Sequence, residues 1–520
     1  MQRAQFEVVI SHATTHPAWQ QRLLRASWVV LHVFVCVMAL FAAKNVGAQT
    51  VNGGWSAPAR LFQDTGDSRE LALAADQAGN LHVVWAYGDE RGASRVLMYA
   101  RWDGIQWTPP IDIIAAEGAI QGPSLVVDRH GRIHLIWHGS GNMLYYSYAD
   151  AQRAERATAW SRPSGLAPAN SHAAITADAE GVLYVVYPAL LDGGVEVITS
   201  ADRGATWTLP APVARLVHAM ATADFVRIAA APEGDLHVVW TELMLPDGYP
   251  SFGVFYSRSA DQGKIWSDPL EMAGEGYVEI NVLAVHRDEI HVAWNGLVGI
   301  SGRYHRWSSD GGLTWSAPDP IVLPEMKGGS TGPPGLTADN AGNLYAVVNT
   351  GDTIAREGPG EFGAAIFLAW TGGGWTPPLN LSSVDPTYSS MFNEESGIAA
   401  VRGNELNVLF FGDAQTTLWH TTVRTLAPSV ASQPFEKLTE TMTSPAHPSS
   451  APPAPDAQPY QVDASTSTLR DHAVMPDREL TRWGASPVGK PGVSSLFIST
   501  LLAAVLVLAT FFVQISRQRK

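Results

Sequence analysis

Short apolar runs recur about every 50 residues over residues 51–426 of the chain. In the first run, LHVVW, alternation along a strand places Leu81, Val83 and Trp85 on one face and the residues between them on the other. Turn residues of the D-x-x-G type precede most of the runs and indicate short strands joined by tight turns. Seven runs of this kind begin at Leu81, Ile133, Leu183, Leu236, Ile290, Leu344 and Leu406.

A second pattern, W-[ST]-x-P or a close variant, alternates with these runs. The order of the two patterns matters, because the first W-strand precedes every LHVVW-type run and the last run has no W-strand after it. A ring resolves the mismatch, since the strand at Trp55 then completes the seventh unit and leaves no large sheet edge exposed. The repeat length predicts an all-β, seven-bladed β-propeller closed by the N-terminal strand. The seven W-strands contain Trp55, Trp107, Trp160, Trp207, Trp266, Trp315 and Trp375.

Three copies of S-x-D-x-G-x-x-W stand between the third and fourth predicted strands of their units. Asp and Gly are turn residues, and Gly takes a positive φ without steric strain. The motif resembles the Asp-box, the bacterial neuraminidase repeat of sialidases and other β-propellers, where it forms a structural turn away from the active site. The motif positions are Ser200, Asp202, Gly204, Trp207, Ser259, Asp261, Gly263, Trp266, Ser308, Asp310, Gly312 and Trp315.

Four histidines, His82, His134, His237 and His291, occupy the same position in their runs. Histidines that share one position could also converge on a metal ion. Equivalent positions of different blades point into separate blade interfaces, however, so we predict that these histidines are structural. The sequence offers no signal for a metal site or for a cofactor.

The composition of the chain argues against one class of binding partner, nucleic acid. The chain has 520 residues, a formal net charge of −15 and 16% charged residues, with 47 Gly, 34 Pro and 18 Trp. The acidic balance argues against nucleic acid, whose phosphates require clustered Lys and Arg. The one cysteine, Cys36, lies in an apolar stretch near the N-terminus. If that stretch is removed, no disulfide or thiolate metal site remains.

The two ends of the chain predict export and anchoring. Residues 1–48 have the basic, apolar and small-residue parts of a signal peptide, with an uncleaved signal anchor as the alternative. Residues 495–515 are apolar and long enough to span a bilayer, and the basic tail 516–520 indicates a cytoplasmic C-terminus. Residues 427–490 are rich in Pro, Ser and Ala and predict a disordered stalk. The propeller, residues 49–426, is therefore expected outside the cell membrane.

The resemblance to sialidases also implies candidate site residues on the face that carries the longer loops. In that family three Arg bind the sugar carboxylate, a Tyr activated by a Glu is the nucleophile, and an Asp is the acid/base. SRELALAADQAGNLHVVW is similar to the family's R-I-P segment and first strand, although Glu-Leu replaces Ile-Pro. On this resemblance the catalytic candidates are Arg69, Asp89, Arg356, Tyr388 and Glu394, with Arg91, Arg95 and Arg227 as alternatives for the remaining Arg.

Three functions remain open at this point. The first is a non-catalytic propeller that binds a glycan or a surface protein through its loop face, with the membrane as a further partner of the C-terminal helix. The second is an exo-sialidase that removes terminal sialic acid. The third is a structural surface or assembly protein. Sialidases have six blades, and a count of seven together with the altered R-I-P segments favours binding over catalysis.

Overall fold

The fold is taken from a computed structural model of the chain. The structure describes residues 54–63, 67–88, 94–190, 193–245, 251–286, 288–296, 302–321, 333–350, 364–381, 396–412 and 417–436. Within these ranges no helix combines the length and apolar character needed to cross a membrane. The predicted signal peptide, most of the predicted stalk and the apolar stretch 495–515 lie outside the described residues.

The described residues form seven antiparallel sheets of four strands each, which confirms the predicted seven-bladed propeller. Each blade runs from the innermost to the outermost strand in chain order, except the seventh, which borrows its outer strand from the N-terminus. Blades 1 to 3 are β2–β5 (Asp67–Ala75, Leu81–Gly88, Ser94–Trp102, Ile111–Ala115), β6–β9 (Gln121–Val127, Arg132–Gly139, Met143–Asp150, Ser164–Pro168) and β10–β13 (Ala174–Ala177, Leu183–Pro188, Val195–Ser200, Ala211–Ala214).

The remaining blades repeat this plan. In blade 2, described above, a 3-10 turn, Ala157–Ala159, lies in the connection between β8 and β9. Blades 4 to 7 are β14–β17 (Ala221–Ala230, Leu236–Met244, Ser251–Ser259, Leu270–Ala273), β18–β21 (Tyr277–His286, Glu289–Gly296, Arg303–Ser308, Asp319–Pro320), β22–β25 (Gly335–Ala338, Leu344–Thr350, Ala364–Ala369, Leu379–Asn380) and β26–β28 (Ser396–Val401, Glu405–Gly412, Thr417–Arg424) joined by β1 (Ala59–Gln63).

Closure of the ring occurs as the order of the sequence patterns predicts. Strand β1 pairs antiparallel with β28, Ala59 opposite His420 and Gln63 opposite Thr417. One detail differs from the prediction that the W-strands contain their Trp residues. Strand β1 begins four residues after Trp55, and the outer strands of the other blades show the same offset. Proline lies in or next to this interval and has no N–H to donate, so the regular ladder begins beyond it.

Each blade buries both of its faces against its two neighbours. On β3 the residues Leu81, Val83 and Trp85 pack with blade 7, whereas Val84 packs with blade 2. The seven strands in the second position of the blades are therefore almost fully buried. Because these strands are buried on both faces, their sequences are continuous apolar runs and do not alternate between apolar and polar residues.

The column of histidines is built into the blades. His82, His134 and His237 each lie with Nδ1 at 2.8 Å from the hydroxyl of a tyrosine on the third strand of the same blade. Nε2 of His82 lies 3.1 Å from the Asp76 carboxylate, which accepts a hydrogen bond from it. These bonds confirm that the histidines belong to separate blades.

The three Asp-box turns share one geometry. In the first, Ser200 donates to Asp202 Oδ1 at 2.8 Å and accepts the Gly204 N–H at 2.8 Å. The glycine of each turn has a positive φ, 81° at Gly204, 82° at Gly263 and 81° at Gly312. The Asp-boxes and the D-x-x-G turns lie on one face of the ring, which we name the turn face, and the opposite face, with the longer connections, is the loop face.

After β28 the chain continues as a strap, residues 425–436, across the turn face. Val430 N–H donates to the Arg402 carbonyl of blade 7 at 2.8 Å, and Gln433 N–H donates to the Gln77 carbonyl of blade 1 at 2.7 Å. Phe435 then packs against the core between blades 1 and 2. Ten residues beyond Leu426, within the stretch that the composition assigns to the stalk, therefore lie against the propeller and join its last blade to its first two.

Candidate functional site

The innermost strands are irregular where they approach the loop face. The pairing register shifts between Arg69 and Leu71 in blade 1, and similar shifts interrupt β6 and β14. At these bulges Glu70 has a φ of 56° and Phe225 a φ of 50°, values that side chains other than glycine adopt uncommonly. Bulges and positive φ angles redirect side chains and concentrate near functional sites.

A cluster of three polar side chains, named here the His172 cluster, lies at these bulges. His172 Nδ1 is 3.2 Å from Asp224 Oδ1 of blade 4, and His172 Nε2 is 3.4 Å from Glu70 Oε1 of blade 1. The other Glu70 oxygen accepts the Gly122 N–H of blade 2 at 2.7 Å. His172 itself precedes β10 of blade 3. Four successive blades thus contribute to one cluster that no single repeat contains.

The carboxylates hold His172 in its charged form. Burial alone lowers the pKa of His172, but hydrogen bonds and charge from Asp224 and Glu70 outweigh burial and raise the pKa to about 10. For Asp224 burial raises the pKa, but the hydrogen bond and charge of His172 together with the bonds from Ser171 and the Phe225 N–H outweigh burial, so the pKa is lowered. At neutral pH one imidazolium therefore bridges two acceptors. The cluster carries a net negative charge and remains rich in hydrogen-bond acceptors.

Aromatic and polar neighbours fix the imidazole in place. Phe225 stacks on the ring with centroids 5.5 Å apart and an interplanar angle of 12°. The Ser171 hydroxyl lies 2.9 Å from His172 Nδ1. A second imidazole, His138, bonds the Ala169 carbonyl at 3.1 Å, and burial followed by the charge of His172 lowers its pKa. No group of three or more His, Cys, Asp or Glu is placed to hold a metal ion in the part of the chain that the structure describes.

The cluster stands beside a cavity at the centre of the ring. The cavity has a volume of about 250 Å³ and is lined by the innermost strands, including Leu71 next to Glu70, Ala173 next to His172, and Arg227. Arg227 donates through Nη1 to the Val226 carbonyl at 3.0 Å. Ligand sites combine a cavity with a few convergent polar groups, and the His172 cluster places such groups next to residues that line this cavity.

The residues that the sialidase resemblance selects are only partly placed. Arg69 lies on β2 opposite Ala86, directly before Glu70, and its backbone alone is described. The two described alternatives for the remaining Arg lie in different places. Arg95 is exposed on the third strand of blade 1, whereas Arg227 lines the central cavity. Outside the described residues lie Asp89, Arg91, Arg356, Tyr388 and Glu394.

One carboxylate at the loop-face end of blade 4 is structural. Glu242 follows the LHVVW run of blade 4, and its side chain is fully buried. Its carboxylate accepts the N–H groups of Val217 and His218 at 2.8 and 3.0 Å and the His218 ring at 2.9 Å. Glu242 therefore holds the connection between blades 3 and 4 and is not available as a ligand group.

Sequence reasoning missed His172 as a site residue, although a signal exists. Glu70, Gly122 and His172 each stand six residues before the Asp of a D-x-x-G turn, at Asp76, Asp128 and Asp178. Aligning the repeats on that turn places all three residues at the loop-face end of an innermost strand. The alignment does not predict which of these residues contact one another, because that depends on how the ring brings neighbouring blades together.

Solved structures with similar folds include proteins described as a lectin, a polysaccharide lyase and a sialidase. The chain is similar to the lectin BP39L of Burkholderia pseudomallei, with 13% identity, coverage of 72% of this chain and 99% of the lectin, and a TM-score of 0.50. It is also similar to a PL25 ulvan lyase (11%, 70% and 95%, 0.48) and to the NanB sialidase of Streptococcus pneumoniae (12%, 71% and 71%, 0.40). At such identities these likenesses show the fold alone.

Comparison with curated proteins finds no relative. The family model described as the BNR repeat-like domain matches residues 79–401, more than half of the chain. This range contains all three Asp-boxes and six of the seven LHVVW-type strands in full. The chain therefore belongs to the BNR repeat-like domain family, and its described residues form a β-propeller of seven blades.

Proposed function

We propose that this protein recognises a glycan on its loop face, with the His172 cluster as the polar centre of the site. The observation that carries the proposal is the convergence of Glu70, His172 and Asp224 from three blades, next to residues that line the central cavity. Carboxylate acceptors suit the hydroxyl donors of a sugar. The carbohydrate-related descriptions of the structural neighbours are consistent with this choice.

The charge of the cluster favours neutral sugar hydroxyls over a sugar carboxylate. His172 is the cation of the cluster, and both of its N–H groups already face carboxylates. An acidic sugar brought to this point meets two acceptors and a net negative charge, which repel its carboxylate. Neutral sugar hydroxyls meet no such repulsion and can donate to the carboxylates of the cluster.

The test is a binding screen of the purified full-length protein on immobilised neutral and sialylated glycans. We expect binding to neutral glycans that falls about tenfold or more in Glu70→Gln and Asp224→Asn, because each change removes a charged acceptor. Asp288→Asn on the turn face is the matched control and leaves binding unchanged. Absence of glycan binding, or equal binding by Glu70→Gln and the wild type, overturns the proposal.

Exo-sialidase activity is the second candidate, and one observation favours it. Arg69, the first Arg that the resemblance selects, lies on β2 one residue before Glu70 of the cluster. Turnover of a fluorogenic sialoside by the full-length protein, abolished in Tyr388→Phe, is the expected result under this candidate. No turnover at high enzyme concentration removes it and leaves the binding proposal, or a purely structural surface role, standing.

We also propose that the protein is exported and anchored by residues 495–515. The support is the uncharged apolar stretch followed by Arg517, Arg519 and Lys520. The expected result is recovery of the full-length protein with membranes that resists extraction by alkaline carbonate, and release of a chain truncated after Ser494. Equal release of both chains contradicts the proposal.

A further inference from the structure

The strap contacts successive blades through equivalent backbone groups. Each acceptor is the carbonyl of the residue that stands four positions before the LHVVW-type run of its blade, in blades 7, 1 and 2. The donors are therefore three residues apart along the strap, and the acceptors are one blade apart around the ring. The N–H groups of Val430, Gln433 and Glu436 donate to the carbonyls of Arg402, Gln77 and Arg129 at 2.8, 2.7 and 3.1 Å.

A spacing of three residues between donors is that of a polyproline II helix. Such a helix has three residues per turn and rises about 9 Å in one turn, so every third N–H points to the same side. It forms no internal hydrogen bonds, and its N–H groups are available to an outside acceptor. Pro428 and Pro434 agree with this spacing, because neither occupies a donor position and proline has no N–H to donate.

The turns beneath the strap leave space for its side chains because each turn contains a glycine. A side chain at any of these glycines would overlap the strap, since the distances from an added Cβ are too short for an ordinary contact. An added Cβ would lie 2.8 Å from Val430 Cγ2 at Gly403, 2.7 Å from Ser432 Oγ at Gly79 and 2.5 Å from the Phe435 ring at Gly131. The turn glycines therefore form part of the surface that binds the strap.

Blades 3 and 4 repeat this surface beyond the last described residue of the strap. The equivalent carbonyls are those of Ala179 and Pro232, and both residues are exposed. A Cβ added at Gly181 meets Arg129 Nε at 3.6 Å, which is an ordinary contact. A Cβ added at Gly234 meets no atom of the described residues within 4 Å. These two turns present the same acceptor and the same space as the turns that the strap covers.

The end of the strap is directed towards blade 3. Arg129 Nε lies 3.3 Å from the Glu436 carboxylate, and Arg129 Nη1 donates to the Ala179 carbonyl at 3.1 Å. The guanidinium thus joins the last described residue of the strap to the next turn of the ring. A carbonyl oxygen has two lone pairs, so the Ala179 carbonyl can accept a second N–H.

The sequence after the strap fits two more steps of the same spacing. Counting in threes from Glu436 gives Thr439, Met442 and Pro445. Thr439 and Met442 each have an N–H to donate, whereas Pro445 has none. The spacing can therefore continue over blades 3 and 4, and it ends there.

We propose that residues 437–442, which lie outside the described residues, bind the turn face of blades 3 and 4 as a continuation of the strap. The Thr439 N–H donates to the Ala179 carbonyl, and the Met442 N–H donates to the Pro232 carbonyl. The occupant is this chain because its strap already lies on the same surface and ends beside the next turn. The stretch that leads towards the C-terminus then leaves the propeller at blade 4 and not at blade 2.

Hydrogen–deuterium exchange of the full-length protein tests the proposal, read at single residues by mass spectrometry with electron-transfer fragmentation. The three donor amides of the strap are the internal standard, because their hydrogen bonds are described. We expect the amides of Thr439 and Met442 to exchange at least about tenfold more slowly than that of Ala446, since each forms a hydrogen bond. Fast exchange at Thr439 and Met442 overturns the proposal, and slow exchange at the standard shows that the method detects such bonds.

Two proline variants test the spacing of the donors. Thr439→Pro removes the N–H that the proposal assigns to the Ala179 carbonyl, whereas Glu440→Pro removes an N–H that is not a donor position. We expect Thr439→Pro to speed exchange at Met442 about tenfold and Glu440→Pro to leave it unchanged. Unchanged exchange at the strap donors shows that the propeller remains folded in both variants. Equal effects of the two variants overturn the proposal.

The dependence on protein concentration identifies the occupant. Binding within one chain makes the exchange rates at Thr439 and Met442 independent of concentration, which is the expected result. Slow exchange that becomes fast on dilution assigns the turns of blades 3 and 4 to a second copy of the chain, and it overturns a strap that continues within one chain.

Discussion

The Asp-box glycines permit a stability test in which the same substitution meets two different neighbours. Gly263 and Gly312 have the same left-handed φ, 82° and 81°. A Cβ at Gly263 meets Leu236 Cδ1 at 3.5 Å, an ordinary contact. A Cβ at Gly312 overlaps the hydroxyl of Tyr256, which is fixed by its 2.8 Å bond to His237. Gly312→Ala therefore adds a steric conflict to the backbone strain that both substitutions share.

The magnitudes follow from these contacts. Left-handed φ in alanine costs about 1–2 kcal/mol, and this is the whole effect expected of Gly263→Ala. Overpacking adds about 1–3 kcal/mol at Gly312, and displacing the Tyr256 hydroxyl from His237 adds about 1 kcal/mol. We expect Gly312→Ala to lower the free energy of unfolding by about 3–6 kcal/mol.

Urea unfolding of the full-length protein measures both losses, provided that the slope with denaturant is unchanged. Tyr256→Phe removes the overlapping oxygen, so Gly312→Ala should destabilise that background less than it destabilises the wild type. The rescue is partial, because the ring carbon Cζ remains 2.8 Å from the added Cβ. Equal losses at both glycines, or strict additivity of Gly312→Ala and Tyr256→Phe, refute the reasoning.

Three further predictions concern the strap, the His172 cluster and a buried ion pair. Phe435→Ala should lower the free energy of unfolding by about 1–3 kcal/mol, since the half-buried ring packs between blades 1 and 2; a melting temperature equal to that of the wild type contradicts a structural strap. The raised pKa of His172, about 10, means that its charge stabilises the fold fully below pH 6.5 and that this contribution is lost as the pH rises through 10. The stability difference between wild type and His172→Gln should therefore shrink from pH 8 to pH 11, and a constant difference refutes the assignment. Asp128→Asn should cost about 3 kcal/mol or more, because Arg203 and His134 lose a buried acceptor at 2.6 and 3.2 Å. Burial raises the pKa of Asp128, but its hydrogen bonds together lower the pKa by more, so the net shift is downward. The loss of stability in Asp128→Asn should therefore be seen at neutral pH and fade in strong acid.

The sequence by itself determined the architecture. The apolar runs, the seven W-[ST]-x-P segments and their order were enough to predict seven blades closed by the N-terminal strand, which the pairing of β1 with β28 confirms. This was possible because strand faces and turn residues are set locally, by alternation along the strand and by the backbone conformations that Gly and Asp allow. The Asp-box turns at Gly204, Gly263 and Gly312 are local for the same reason.

Only the tertiary structure decided which polar residues meet. Glu70 and His172 are 102 positions apart, and their contact depends on the curvature of the ring and on bulges that redirect single side chains. Likewise Arg402 of blade 7 donates to the Asp103 carbonyl of blade 1, 299 positions away in the chain. The repeat determines where a residue stands within its blade. The neighbouring blade determines what that residue contacts, because each site is formed where two or more blades adjoin.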